Sequence, residues 1–259
     1  MSYIEDLFGL KGRTAVVIGG GGVLAGKMAE GLARAGADIA ILDINPENAR
    51  KQANECKKYG VKALSIKVDA SSKEELRAAA DTILAKIGRI DILINAPGIN
   101  SSTPFLEIEE EEYDRIMRVN LKSIFLACQL FGKIMIEQGE GGSIINISSA
   151  ASEIPLSKVF TYSISKAGVN NLTRNLAREW APFKVRVNAL APGFFPAEQN
   201  RKILTPERTA DILRHTPMGR FGDAEELVGA VIWMASQKAA AFVTGALIRV
   251  DGGFTAMTI

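Results

Sequence analysis

Histidine occurs once in this 259-residue chain, at His215, so a metal centre built from several histidines is excluded. Cysteine occurs twice, as Cys56 and Cys128. Two thiols so far apart make no disulfide framework, and a reducing cytosol is the expected compartment. Long apolar runs are missing: none approaches the roughly eighteen uncharged residues of a membrane span. The opening Met-Ser-Tyr-Ile-Glu-Asp-Leu carries acid where a secretory signal carries base, so no signal peptide is expected. An excess of one charge is lacking too. Lys and Arg number 31 against 29 Asp and Glu, a net charge of +2 that leaves no footprint for nucleic acid or an anionic membrane. Neither a Ser/Pro linker nor a repeat nor a low-complexity tract divides the sequence, which predicts one domain over 1–259.

What is present is apolar material in strand-sized and helix-sized pieces. Hydrophobic residues make up 47% and charged residues 23%, a balance that suits a soluble globular protein with a substantial core. Short β-branched runs at 14–19, 38–43, 61–68, 90–95, 142–148, 184–190 and 245–250 alternate with helical patterns near 24–35, 73–87, 109–138, 160–181 and 223–236. A further helix opens at Asn45-Pro46. Apolar strands separated by helical crossovers predict an α/β fold with a parallel sheet buried on both faces.

Chemistry gathers at two places. Gly19-Gly20-Gly21-Gly22-Val23-Leu24 lies between the first strand and the first helix. There the backbone can approach a pyrophosphate and the helix N-terminus offers free N–H groups. Asp43 ends the second strand about twenty residues on, where a carboxylate accepts from the ribose hydroxyls of NAD and repels the 2′-phosphate of NADP. NAD is therefore favoured over NADP; the plainer account of Asp43 is an exposed strand-end or cap residue. Asp69, ending the third strand with Ala70 after it, is placed to reach the adenine, and an acid starting the next helix is an equally good local account of it. The second place holds Tyr162 and Lys166, one helical turn apart, and Ser149 thirteen residues earlier at a strand end. A cation beside a phenol favours the phenolate, so Tyr162 is a candidate acid/base. Asn120 sits in a helical pattern, where the plainer account is a side chain bonded to backbone.

Together with Asn95-Ala96-Pro97-Gly98, Pro192-Gly193 and the terminal Val250-Asp251-Gly252-Gly253, these motifs resemble, in order and over essentially the whole chain, the short-chain dehydrogenase/reductase family. The resemblance implies a single-domain Rossmann fold, a doubly wound seven-stranded parallel sheet in the order 3-2-1-4-5-6-7 with helices on both faces. It implies that Tyr162 is the general acid/base and that Ser149 bonds the same substrate oxygen. Lys166 would lower the Tyr162 pKa and bind the nicotinamide ribose, and Asn120 would hold a water that relays protons to Lys166. The cofactor would lie on Gly19, Gly21, Gly22, Val23, Leu24, Asp43, Asp69 and Ala70. It would continue along Asn95, Ala96 and Gly98 to Tyr162, Lys166, Pro192, Gly193 and Phe195. Four positions depart from the family pattern: Val23 and Ala25 replace glycines, Pro97 replaces alanine, and Ala197 stands where a threonine often holds the carboxamide.

Substrate choice is expected from a lid over 194–216. Glu198, Gln199, Asn200 and Arg201 are there to bond hydroxyls or a carboxylate, with Ser101, Ser102, Ser149, Ser152, Glu153 and Tyr162 in adjoining positions. The Gly-Gly-Gly-Gly-Val-Leu and Pro-Gly-Phe-Phe strings resemble the mannonate (fructuronate) and gluconate oxidoreductase branch. The expected substrate is a polyol, sugar or sugar acid oxidised at a secondary alcohol. A 3-ketoacyl thioester reductase shares the same residues but usually prefers NADPH, and a catalytically silent NAD-binding regulator shares the fold. The family also implies a homotetramer. Its interfaces would use the helices near 109–138 and 160–181 and a C-terminal tail carrying Phe254, Met257 and Ile259.

Overall fold

The computed structural model describes residues 2–196 and 205–257. Seven parallel strands form one sheet in the order β3-β2-β1-β4-β5-β6-β7. They are β1 (Thr14–Ile18), β2 (Asp38–Asp43), β3 (Ala63–Lys67), β4 (Ile92–Asn95), β5 (Gly142–Ile147), β6 (Val185–Pro192) and β7 (Leu247–Val250). The strand order and parallel sense are those expected, and several strands are trimmed at one end. Register levels the working edge: Ile18 pairs with Leu42 on one side and Asn95 on the other, and Asn95 pairs with Asn146. The chain therefore leaves β1, β2, β4 and β5 at one height, along the carboxyl ends where ligands bind in open α/β sheets.

Helices α1 (Tyr3–Phe8), α2 (Val23–Arg34), α3 (Pro46–Lys57), α4 (Lys73–Lys86), α5 (Glu110–Met117), α6 (Ser123–Gln138), α7 (Phe160–Trp180), α8 (Pro206–Arg214) and α9 (Val228–Ala235) flank it. Local chemistry starts them. Asn45 Oδ1 accepts from the N–H groups of Glu47 and Asn48 with Pro46 in the first turn, and Ser72 caps α4. Two helices lie outside the expected set. Ser2 and Glu5 form a capping box that starts α1. Thr205 and Pro206 start α8 within the stretch expected to be lid.

On one face Val17, Ile39 and Ile41 pack with Met28 and Leu32 of α2 and Val231 and Met234 of α9. On the other, Val16, Ile18 and Leu42 pack with Leu76 and Ile83 of α4, Ile124 and Phe131 of α6, and Val169 of α7. Each such side chain contributes about 1.5–3 kcal/mol on burial. Helices α5 and α6 run on as one helix from Glu110 to Gln138, which is long and apolar enough to cross a membrane by length and composition. Lys122 and Lys133 interrupt its apolar stretch, and Phe131 and Met135 are buried in the core.

At the amino ends of the strands, away from the working edge, Asp91 ties β1 to β4. Its carboxylate accepts from the Thr14 N–H at 2.9 Å, from Arg13 at 2.9 Å, and from Arg89 Nε and Nη2 at 2.7 and 2.5 Å.

Candidate active site

The glycine loop is shaped by contacts as much as by conformational freedom. Gly19 leaves β1 with φ +72°, and a Cβ there would stand 3.0 Å from the Ala96 carbonyl oxygen. A Cβ at Gly21 would stand 2.7 Å from Asn48 Cβ, so a larger residue at either position moves backbone or α3. Gly22 caps α2 without a side chain, which leaves the first-turn N–H groups beyond it, including Val23 and Leu24, without a side-chain acceptor. Free donors on the positive end of a twelve-residue helix fit a dinucleotide pyrophosphate. Two family departures find an explanation. The Val23 side chain is turned to solvent, and Ala25 is buried in the core under the helix.

Asp43 does more than end β2. One carboxylate oxygen accepts from the Gly21 N–H and the other from the Asn45 N–H, both at 2.9 Å, so the acid closes the glycine loop onto the start of α3. A carboxylate has about four lone-pair sites. Those left over suit two ribose hydroxyls. Asp69 Oδ1 accepts from the backbone and hydroxyl of Ser71, which makes it a turn residue beside Ala70 at the β3 exit. The Asn95 side chain is fully buried and donates to Asn146 Oδ1 at 2.8 Å, so only its backbone borders the crevice. Ala96 and Gly98 continue that border. Gly193 bonds back to the Val250 carbonyl at 3.0 Å, just after Pro192 closes β6.

Tyr162 lies in the first turn of α7 and Lys166 one turn later. The Lys166 ammonium is 5.6 Å from the centre of the Tyr162 ring and donates to the Ile147 carbonyl at 2.8 Å. Burial draws its pKa down to about 8. The Tyr162 phenol is pushed up by burial, and a hydrogen bond with Ser149 opposes that shift. The sequence expectation was a phenol pulled down by Lys166; in the structure desolvation dominates and Ser149 is the group that pulls down. Both charged forms lose water together, which lysine and tyrosine resist alike.

Asn120 sits in a single π turn, Arg118–Lys122, that joins α5 to α6. Such a bulge re-aims a side chain within a helix. Here Oδ1 accepts from the Ile99 N–H at 2.8 Å, and Nδ2 donates to the Ile99 carbonyl at 2.9 Å and to Ser165 Oγ at 3.1 Å. Both amide protons are used, so a second lone pair on Oδ1 is what remains to accept from a water. A Cβ at Gly98 would stand 3.5 Å from Lys166 Nζ and 3.8 Å from Asn120 Oδ1, so the loop, the ammonium and the carboxamide converge.

The substrate candidates divide. Ser149 caps the turn Ala150–Ser152 and faces Tyr162. Ser101 Oγ donates to Glu112 at 2.7 Å, as does Thr103, which latches the 99–104 loop to α5. Ser152 Oγ donates to the Ser149 carbonyl, and Glu153 holds Arg249 through two bonds of 2.6 Å. Phe195 packs on the core and Phe194 meets Phe254 edge to face at 5.0 Å, beside a cavity of about 410 Å³. Glu198, Gln199, Asn200 and Arg201, together with Ala197 and Ile259, lie outside the described residues. Ser165, Asn170 and Glu112 were not anticipated. For the first two the signal was available, because they follow Tyr162 and Lys166, respectively, at one-turn spacings along α7.

Residues 22–255 match the family described as enoyl-(acyl carrier protein) reductase. A 5-keto-D-gluconate 5-reductase from Escherichia coli (strain K12) is 36% identical over 251 residues, 96% of this chain and 98% of the relative. A gluconate 5-dehydrogenase from Burkholderia cenocepacia J2315, solved with NADP and tartrate, has a TM-score of 0.93 at 37% identity and covers 99% of this chain and 100% of its own. A 7 alpha-hydroxysteroid dehydrogenase, solved with NADH and 7-oxo glycochenodeoxycholic acid, has a TM-score of 0.91 at 32% identity, covering 97% and 98%.

Proposed function

The chain belongs to the short-chain dehydrogenase/reductase family and is a nicotinamide-dependent oxidoreductase acting on CH–OH groups; on that premise we propose that it interconverts a sugar acid and its keto form, with NAD as the preferred cofactor. The observation that carries the reading is the meeting of Ser149, Tyr162 and Lys166 beside an uncapped glycine-loop helix. The gluconate names of the relatives support the substrate class. So do two cations at the chain segment that joins Ser149 to Tyr162: Arg208 of α8 donates to Ser157 Oγ at 2.7 Å, and Lys158 next to Ser157 takes a left-handed φ of +61°. Among the described residues neither makes an ion pair, which leaves them for an acidic substrate. Arg201 is a further candidate from the sequence.

The cofactor supplies or accepts the hydride when it is bound. This chain supplies the rest. In reduction the Tyr162 phenol gives its proton to the carbonyl oxygen, and in the oxidation direction Tyr162 first releases that proton to solvent and then, as the phenolate, takes the proton of the substrate hydroxyl. The Ser149 hydroxyl donates to the same oxygen as charge develops on it. Lys166, fixed on Ile147, holds a positive charge beside the ring, and Asn120 keeps residue 99 and α7 in register. Steady-state assays across aldonates, hexoses, alditols, ketoacyl thioesters and hydroxysteroids, each with NAD and with NADP, test the proposal. Aldonate turnover with NAD is the expected result. Turnover confined to thioesters or steroids would sink it.

Asp43 supports NAD, and its double duty sharpens the expectation. Asp43→Ala removes both the ribose acceptor and the anchor of Gly21, and charge-assisted bonds contribute about 1.5–3 kcal/mol each. Calorimetry should therefore show NAD affinity falling by at least about tenfold, with no compensating gain for NADP. We propose that the assembly is a homotetramer. An open cleft of about 780 Å³ lined by Met117, Leu121, Phe125 and Leu172 on α5, α6 and α7 supports one interface, and light scattering reads the mass.

A further inference from the structure

Ser149 and Tyr162 are held by the same three-part device. Ser165, three residues after Tyr162, donates its hydroxyl to the Tyr162 carbonyl at 2.6 Å and accepts from Asn120 Nδ2 at 3.1 Å. Ser152, three residues after Ser149, donates its hydroxyl to the Ser149 carbonyl at 2.6 Å and accepts from Asn170 Nδ2 at 2.8 Å. The second device is also fastened to α7, the helix that carries the first. Ser148 Oγ lies 3.2 Å from Ser152 Oγ and 3.4 Å from the Lys166 carbonyl, and Asn170 is one turn beyond Lys166 on α7.

Counting protons assigns the roles. A hydroxyl has one proton and two lone pairs. Ser152 spends its proton on Ser149 and one lone pair on Asn170, and its other lone pair faces Ser148, whose single proton is shared between Ser152 and the Lys166 carbonyl. Asn170 is buried, and its Oδ1 has no partner among the described residues. That orphaned acceptor is tolerated with Nδ2 aimed at Ser152. With the amide reversed, Ser152 would give its only proton to Asn170 and release the Ser149 carbonyl.

We propose that Ser152 and Asn170 are positioning residues, which lock the turn carrying Ser149 onto α7 so that its hydroxyl meets the Tyr162 phenol oxygen. The inference rests on the dehydrogenase reading of Ser149 and Tyr162, so its test has a readout that needs no turnover. Ser152→Ala and the nearly isosteric Asn170→Leu are each expected to lower kcat about tenfold with KM nearly unchanged, since a small misplacement of a reacting group is costly. Ser152→Thr, which keeps the hydroxyl, restores kcat. In a Ser149→Ala background, Ser152→Ala costs nothing more, because its effect passes through Ser149.

The second readout is tyrosinate absorbance on titration, with Tyr162 isolated by subtracting Tyr162→Phe. Loosening Ser149 removes the bond that opposes burial, so Ser152→Ala raises the pH at which Tyr162 ionises. An unshifted titration, or an equal loss of kcat with and without Ser149, overturns the proposal. If no substrate turns over at all, the dehydrogenase reading fails while the titration still decides the positioning role.

Discussion

Tyr162→Phe is expected to lower kcat/KM by roughly 100- to 10,000-fold, the range a positioned acid/base contributes, while NAD binding stays within about twofold. The asymmetry follows from where the phenol sits. Phenylalanine keeps the ring that packs 5.6 Å from the Lys166 ammonium, and Lys166 keeps its bond to Ile147, so the cofactor side of the crevice is unchanged. What is lost is one oxygen that carries a proton. Burial holds that oxygen's pKa up and Ser149 opposes the shift, so the phenol holds its proton in the free protein, ready to give it to a carbonyl oxygen that meets Ser149 and Tyr162 at once. Steady-state kinetics beside NAD calorimetry separates the outcomes. A variant that turns over like the parent refutes the assignment. A parent that binds NAD but turns over no alcohol or ketone favours the silent regulator instead.

Much of this site was legible because its residues carry signals over short spans. A β-branched run that stops at four glycines and resumes as a helix can be read as strand, loop and helix with no tertiary information. The one-turn spacing of Tyr162 and Lys166 is likewise a local fact. The direction of the Tyr162 shift is not local. It depends on how much water the phenol loses in the folded chain, and that loss outweighs the opposing hydrogen bond from Ser149. The π turn at Asn120 was unreadable for a similar reason. Arg-Val-Asn-Leu-Lys scores as ordinary helix, and the extra residue is accommodated because the carboxamide finds both backbone groups of Ile99. Helix α8 was missed although Thr205-Pro206-Glu207 is a helix-start signal, because the polar residues before it read as one continuous lid. Asp43 was readable as a strand-end acid. Its bond to Gly21 needed the loop to fold back over β2.

The largest stability effect is expected far from the chemistry, at Asp91→Ala, which should destabilise the fold by about 1–3 kcal/mol, the cost of a buried N–H left without its acceptor. The carboxylate is almost fully buried and takes four hydrogen bonds, from the Thr14 backbone, Arg13 and both reaching nitrogens of Arg89. Removing it leaves a buried N–H without an acceptor and two guanidinium groups with Glu140 as their one remaining carboxylate partner. Burial pushes the Asp91 pKa up, but Arg89, the Thr14 N–H and Arg13 together outweigh it and hold it below the ordinary carboxylate value. A depressed folded-state pKa contributes stability that is present above the unfolded value, near 3.9, and is lost as pH falls through the folded one. Urea unfolding should therefore show a wide gap between parent and variant at pH 7 that narrows once the pH drops below about 4. Asp91→Asn, which keeps an acceptor for the Thr14 N–H, should fall between the two. Because β4 spans only Ile92–Asn95, roughly 13 Å of strand separates this clamp from the working edge, and it sets the level at which β1 and β4 deliver Gly19 and Ala96. Below its melting range Asp91→Ala should accordingly keep kcat within a few-fold of the parent. Equal unfolding midpoints at pH 7 would show that Asp91 does not hold β1 to β4.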